Sequence, residues 1–317
     1  MTYVKRGAAV VLFLAGLIGL LWSSSWIVTP KNNMKEFGME EVSANGILGE
    51  KENTVDVLVL GDSESYSAIT PMQLWKETGY TAYVCGSSAQ TLDYSNRLLH
   101  RAFEKQSPKV VILETNAIFR NVSLSKAMLA TLGNTLPVFQ YHDRWKDLNG
   151  NDWQGNVKFT WTNDLKGYRY NKNVVPSKVM DHMAPTKDIA RIPELNRQYV
   201  ESMKSFCDEH GAKLVFLSTP STVNWNYKRH NAVAQLADDL QCDYVDLNLL
   251  TEEVPINWRT DTRDKGDHLN HAGAVKVTRY LGVYLQKRGE LTDHRDDPYY
   301  AKWNDSLQKY EATVKAK

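Results

Sequence analysis

Cysteine is scarce in this chain. Only Cys85, Cys207 and Cys242 occur, with no CxxC and no metal-ligand spacing. That argues against a disulfide framework and a metal site, and leaves one Cys207–Cys242 bridge open. An excess of one charge is also missing. The 38 Lys+Arg and 37 Asp+Glu give a formal net charge of +1, which argues against a nucleic-acid partner. There is no internal repeat, no low-complexity tract and no motif that asks for a cofactor. The 42% hydrophobic content is ample for a packed core in a chain of 317 residues.

Long uncharged runs are absent with one exception. From Ala8 to Val28 the chain reads AAVVLFLAGLIGLLWSSSWIV, 21 residues without a charge. As a helix this spans about 32 Å, enough to cross a bilayer core. Lys5 and Arg6 precede it, and Trp22 and Trp26 stand where an interfacial aromatic belt would lie. A cleaved signal peptide is the rival reading. No A-x-A-like site follows, so an uncleaved, single-pass anchor within residues 1–29 is expected. Lys31 and Lys35 follow the span, so the basic residues do not choose a side. The short N-terminal tail and large following domain favour the domain outside.

Residues 30–53 read as a polar linker. Beyond it, apolar runs ending in small residues alternate with helical spacing. Val55–Leu60, Tyr80–Cys85 and VVILE at 110–114 are expected strands, with helices over 71–79 and 92–105. Further strands are expected at 213–218 and 244–247, and helices at 192–210, 231–240 and 274–285. This pattern predicts an α/β fold of three layers, α/β/α, around a five-stranded parallel sheet. The main domain is placed at 54–290, with a charged tail at 291–317 forming a surface helix or held loosely. Residues 119–190 break the rhythm and read as a long polar, Trp-rich insertion, which in compact domains is usually functional or lid-like.

Val55–Thr70, VDVLVLGDSESYSAIT, puts Ser63 just past a strand's carboxyl end, where sites form in open α/β sheets. The alternative is that Ser63 only caps a helix. Near the other end, GDHLNHAGA places His268 beside acidic residues. A serine needs a base to take its proton, and the base needs a carboxylate to hold its tautomer. Asp264, four residues before His268, can meet it across a turn, with Gly266 absorbing an extra residue. Asp267, one before, remains the second candidate. His271 reads as structural.

The GDS block and the late Asp–His pair resemble the SGNH/GDSL hydrolase superfamily. The resemblance implies a flavodoxin-like sheet order and an oxyanion hole of the Ser63 N–H, the Gly86 N–H in VCGSSAQT and the Asn116 amide in LETNAIF. The usual Asp three residues before His is here Lys265, and the usual surroundings of Asn116 are changed. Within the superfamily the chain is similar to membrane-anchored bacterial members of the D-alanyl-lipoteichoic-acid pathway. That implies a serine esterase or O-acyltransferase acting on acetyl or D-alanyl esters of a cell-envelope glycan or teichoic acid. It implies a bacterial cell membrane location, an extracytoplasmic domain and a membrane-bound O-acyltransferase partner. The alternative is an inactive assembly partner of such an acyltransferase. A secreted lipase is disfavoured by the polar insertion. His142, Arg144 and Trp145 in the insertion, and Trp225 after the fourth strand, are candidate substrate contacts: Arg for anions, Trp for sugar faces.

Overall fold

The computed structural model describes residues 2–153, 155–179 and 181–316. Five apolar runs become strands: β1 (Val57–Gly61), β2 (Ala82–Gly86), β3 (Val110–Glu114), β4 (Lys213–Ser218) and β5 (Asp243–Asp246). All pair in parallel in the order β2-β1-β3-β4-β5, with Val57 opposite Ala82 on one side and Val110 on the other. The first three are buried along their whole length, which explains their unbroken hydrophobicity.

The helices are α1 (Thr2–Val28), α2 (Val42–Asn45), α3 (Ser63–Ala68), α4 (Pro71–Thr78), α5 (Leu92–Phe103), α6 (Leu124–Thr135), α7 (Val138–Tyr141), α8 (Glu194–Glu209), α9 (Tyr227–Leu240), α10 (His271–Arg288) and α11 (Ala301–Lys315). Helices cover both faces of the sheet. Val57 and Val59 point into one core with Leu74 of α4 and Val277 and Leu281 of α10. Strand alternation sends Leu58 and Leu60 to the opposite face. The sheet order reverses direction between β1 and β3, so the crevice that positions a site opens at their carboxyl ends.

The chain forms two compact units. One holds the chain up to Val42 together with Ser123–Thr160; the other holds Ser43–Val122 and the chain from Trp161 onward. This corrects two expectations and, for the tail, decides between its two alternatives. The linker at 30–53 is packed rather than bare: Ala44, Ile47 and Leu48 are buried, and Glu50 forms a buried ion pair with Lys166 at 2.8 Å. The apolar trio explains why that stretch folds down. The insertion at 119–190 is not one lid. Its first part belongs with α1, while its second part joins the sheet unit, where the Lys166 carbonyl accepts from Val84 N and covers the β2 edge. The tail is a docked helix, with Trp303 2% exposed against Trp75 at 5.7 Å between ring centroids.

Candidate active site

β1 ends at Gly61 and the chain turns at once into α3. Asp62 takes the capping position, its Oδ1 accepting from Glu64 N at 3.0 Å. Ser63 is therefore the first helical residue rather than the cap, and its side chain is left for other work. Its N–H is one of the helix's first donors, which have no acceptor within the helix. Ser63 is 9% exposed.

His268 reaches Ser63 from a loop 205 residues further on. Its Nε2 lies 2.8 Å from Ser63 Oγ, and its Nδ1 lies 2.6 Å from Asp264 Oδ2. Asp264 Oδ1 also accepts from His268 N at 2.6 Å, so one carboxylate holds both ring and backbone. A carboxylate at Nδ1 favours the tautomer with the proton there, leaving Nε2 to accept from the serine hydroxyl. Asp267 Oδ2 is 3.6 Å from Nδ1, beyond hydrogen-bond range, and Asp267 Oδ1 accepts from Asn224 Nδ2 at 2.5 Å.

The loop that brings acid and base together is tightly specified. Lys265 and Gly266 adopt positive φ, +67° and +90°. A Cβ on Gly266 would stand 2.0 Å from Thr222 Oγ1. Thr262 Oγ1 accepts from Gly266 N and donates to the His268 carbonyl. Val175, from the second part of the insertion, donates to the Thr262 carbonyl and accepts from Lys265 N. That strap across the histidine loop carries no signal in the sequence.

Asn116, after β3, has its amide fixed from both ends. Nδ2 donates to Asp62 Oδ2 at 2.8 Å, and Oδ1 accepts from Arg229 Nη1 at 2.8 Å. Asp62 Oδ2 also accepts from Arg120 Nε at 2.5 Å. Glu114 Oε2 accepts from Asn116 N at 3.1 Å. Burial pushes the Glu114 and Glu64 carboxyls well above the usual range, and their neighbouring carboxylates add to the shift. Glu64, Asp267 and His268 bring possible ligand atoms within 4.8 Å of one another. The His268 nitrogens already face Ser63 and Asp264, and Asn224 Nδ2 bridges Glu64 to Asp267. This cluster reads as a hydrogen-bonded support for the loop.

A cavity of about 360 Å³ is lined by Asn116, Arg120, Asn224 and Arg229, with Ala89 and Phe119 among its other walls. Arg120 did not stand out in the sequence, whereas Arg229 lies in the aromatic, basic stretch 224–230 that follows the fourth strand. Gly86, expected as an oxyanion donor, ends β2 in register with Gly61, and a Cβ there would stand 2.4 Å from Ser65 Oγ. Its glycine thus has a packing reason. Ala89, three residues on, lines the cavity with φ at +52°.

The other expected contacts are placed differently. Trp225 is 2% exposed and donates from Nε1 to Asp246 Oδ2 at 2.9 Å, so it is a core residue. Arg144 pairs with buried Asp152 at 2.6 Å and donates to the Val28 carbonyl. It is occupied within the α1 unit, where His142 and Trp145 are exposed. His271, expected as structural, begins α10 with Nδ1 3.1 Å from Tyr168 OH.

No protein-family model matches this chain, and no curated protein matches it. Among solved structures it is similar to a lipase/acylhydrolase from Enterococcus faecalis, at 9% identity over 74% of this chain and 96% of that one, with TM-score 0.40. It is also similar to a psychrotrophic esterase from Pseudoalteromonas sp., at 12% identity over 74% of this chain and 98% of that one, TM-score 0.39. A third is a GDSL-like lipase from Bacteroides thetaiotaomicron, at 12% identity over 73% of this chain and 88% of that one, TM-score 0.36. These likenesses are too distant to bear on the chemistry, which rests on the geometry above.

Proposed function

We propose that this protein is a serine acyl-ester hydrolase or acyltransferase of the SGNH/GDSL kind, with Ser63 as nucleophile, His268 as general base and Asp264 as the acid that orients it. The observation that carries this reading is the unbroken chain from Ser63 Oγ through His268 to Asp264, with contacts of 2.8 and 2.6 Å. Ser63 Oγ attacks the ester carbonyl while Nε2 takes its proton. His268, now cationic, faces Asp264 and returns the proton to the departing alkoxide. The acyl-enzyme is then resolved by water or by an acceptor hydroxyl, with the same imidazole as base. Developing negative charge on the carbonyl oxygen meets the Ser63 N–H and the second N–H of the Asn116 amide, whose first is spent on Asp62. The Ala89 N–H is a better candidate than that of Gly86 for a third donor, because Ala89 lines the cavity.

The substrate side is polar. Arg120 and Arg229 with Asn116, Asn121 and Asn224 suit a hydroxylated or anionic group better than a fatty acyl chain. That supports an ester on a cell-envelope glycan or teichoic acid, with α1 as the anchor and a membrane-bound O-acyltransferase as acyl source. The test is fluorophosphonate labelling of the full-length chain in detergent. The wild type should label and Ser63→Ala should not. Equal labelling of both would end the proposal and leave the assembly-partner reading. Hydrolysis and transfer separate on whether an added glycan acceptor speeds turnover of an aryl ester.

A further inference from the structure

The first part of the insertion is tied to the last turns of α1. Val138 N donates to Ser25 Oγ at 3.1 Å, and Arg144, held by Asp152, donates to the Val28 carbonyl. Lys158 N donates to the Lys31 carbonyl at 2.9 Å. Ser25 and Val28 are 3% and 5% exposed, whereas the apolar window of α1 is wholly uncovered. So the helix is bare along the length that would meet lipid and clamped only where it would leave it.

On this clamp α6 displays Leu124, Met128, Leu129 and Leu132, which are 69%, 59%, 48% and 45% exposed. Their spacing of i, i+4, i+5 and i+8 gathers them on one side of the helix, within an arc of about 140°. Trp145 and Trp153 of the same unit are also exposed, as are Trp22 and Trp26 near the end of α1. Leucines on one helix face and tryptophans near a span's end are the composition of a membrane interface.

We infer that α6 is an interfacial helix whose Leu124–Met128–Leu129–Leu132 face lies in the headgroup–acyl boundary of the bilayer that α1 crosses, so that 123–160 fixes the anchor to the membrane surface. The occupant is lipid because α7, which packs on α1, carries α6 at the level where the span ends. The tryptophans of this unit then serve as interfacial anchors rather than sugar platforms. A cleaved leader does not fit, since cleavage would strip Ser25 and Val28 from their partners. This inference does not depend on the chemistry at Ser63.

The test places a spin label on the full-length chain in nanodiscs of phosphatidylcholine and phosphatidylglycerol. Cys242→Ser removes the half-exposed thiol; Cys85 and Cys207 are buried. Labels at Met128→Cys and Leu132→Cys should collide with oxygen several-fold more than with a water-soluble nickel chelate. A label at Asn134→Cys, on another side of α6, should favour the chelate. Asp152→Asn, which loosens Arg144, should raise chelate access at position 128. Equal chelate access at 128 and 134 would overturn the inference. Shielding of 128 from both probes would also overturn it, by showing a protein rather than lipid against that face.

Discussion

Replacing Asp264 by asparagine removes one of two oxygens that accept, at 2.6 Å each, from His268 Nδ1 and His268 N. An amide keeps one acceptor. If the oxygen stays on the backbone N–H, the ring meets an N–H donor and flips to the tautomer protonated at Nε2. That form cannot take the serine proton. In a serine protease, where the acid is buried, such a swap costs about 10⁴ in turnover. Asp264 is 38% exposed, so water competes for the ring and the expected loss is about 10²–10³. Asp267→Asn is a different perturbation. Asp267 Oδ2 acts on Nδ1 only through charge, at 3.6 Å, and is 37% exposed. At the dielectric of water that is about 1 kcal/mol, or about sevenfold. The assay is the pre-steady-state release of p-nitrophenol from p-nitrophenyl acetate by the full-length chain in detergent. A loss in Asp267→Asn equal to that in Asp264→Asn, or a loss under about tenfold in Asp264→Asn, would refute the assignment of the acid.

Gly266→Ala should lower Tm by several degrees and slow acylation together. The new Cβ meets Thr222 Oγ1 at 2.0 Å with φ at +90°, a strain of about 1–3 kcal/mol at the base of the histidine loop; an unchanged Tm would contradict the geometry. Glu64 is buried with its carboxyl raised by desolvation, then by Glu114 and Asp62. A carboxyl raised on folding binds more protons in the native state, so its effect is to lower stability as pH climbs above the unfolded carboxyl value. Glu64→Gln should therefore flatten the fall of Tm as pH climbs above the unfolded carboxyl value, and an unaltered slope would count against a carboxyl raised by burial. Lys166 pairs with Glu50 at 2.8 Å, 1% and 5% exposed. Lys166→Ala should cost about 3–5 kcal/mol in denaturant unfolding, and Lys166→Met with Glu50→Leu should recover most of it.

The sheet was legible because its strands are buried on both faces. VVILE and KLVFLS needed no alternation to be read, and β3 and β4 start and stop where expected. β5 shifted by one residue because Asp243 and Asp246 bracket only two apolar residues. Ser63 and His268 drew notice for a chemical reason: each sits at the close of a short, glycine-bearing turn where a polar side chain needs an explanation. What surrounds them was not. In NWNYKRH the tryptophan drew attention as a pocket wall, yet Asn226 caps α9 there. The turn into that helix sends Trp225 inward to Asp246, while Arg229 returns to Asn116. The direction of that turn decides which side chain lines the cavity, and spacing alone does not carry it.

The tryptophans show the same limit in another form. Indole suits a sugar face, an apolar core and a membrane surface equally, because each offers a π-face or an apolar wall with a wet edge. Trp303 took the core and Trp225 took a buried carboxylate, while Trp145 shares a unit with α1. The extra residue between acid and base teaches the opposite lesson. A spacing of four rather than three looked like a departure from a working triad. Two consecutive left-handed residues, Lys265 and Gly266, fold that extra length into the turn, and Asp264 still reaches both His268 nitrogens that matter, the backbone N and Nδ1. Triad chemistry constrains where the carboxylate oxygens end, not how many residues the loop uses to bring them there.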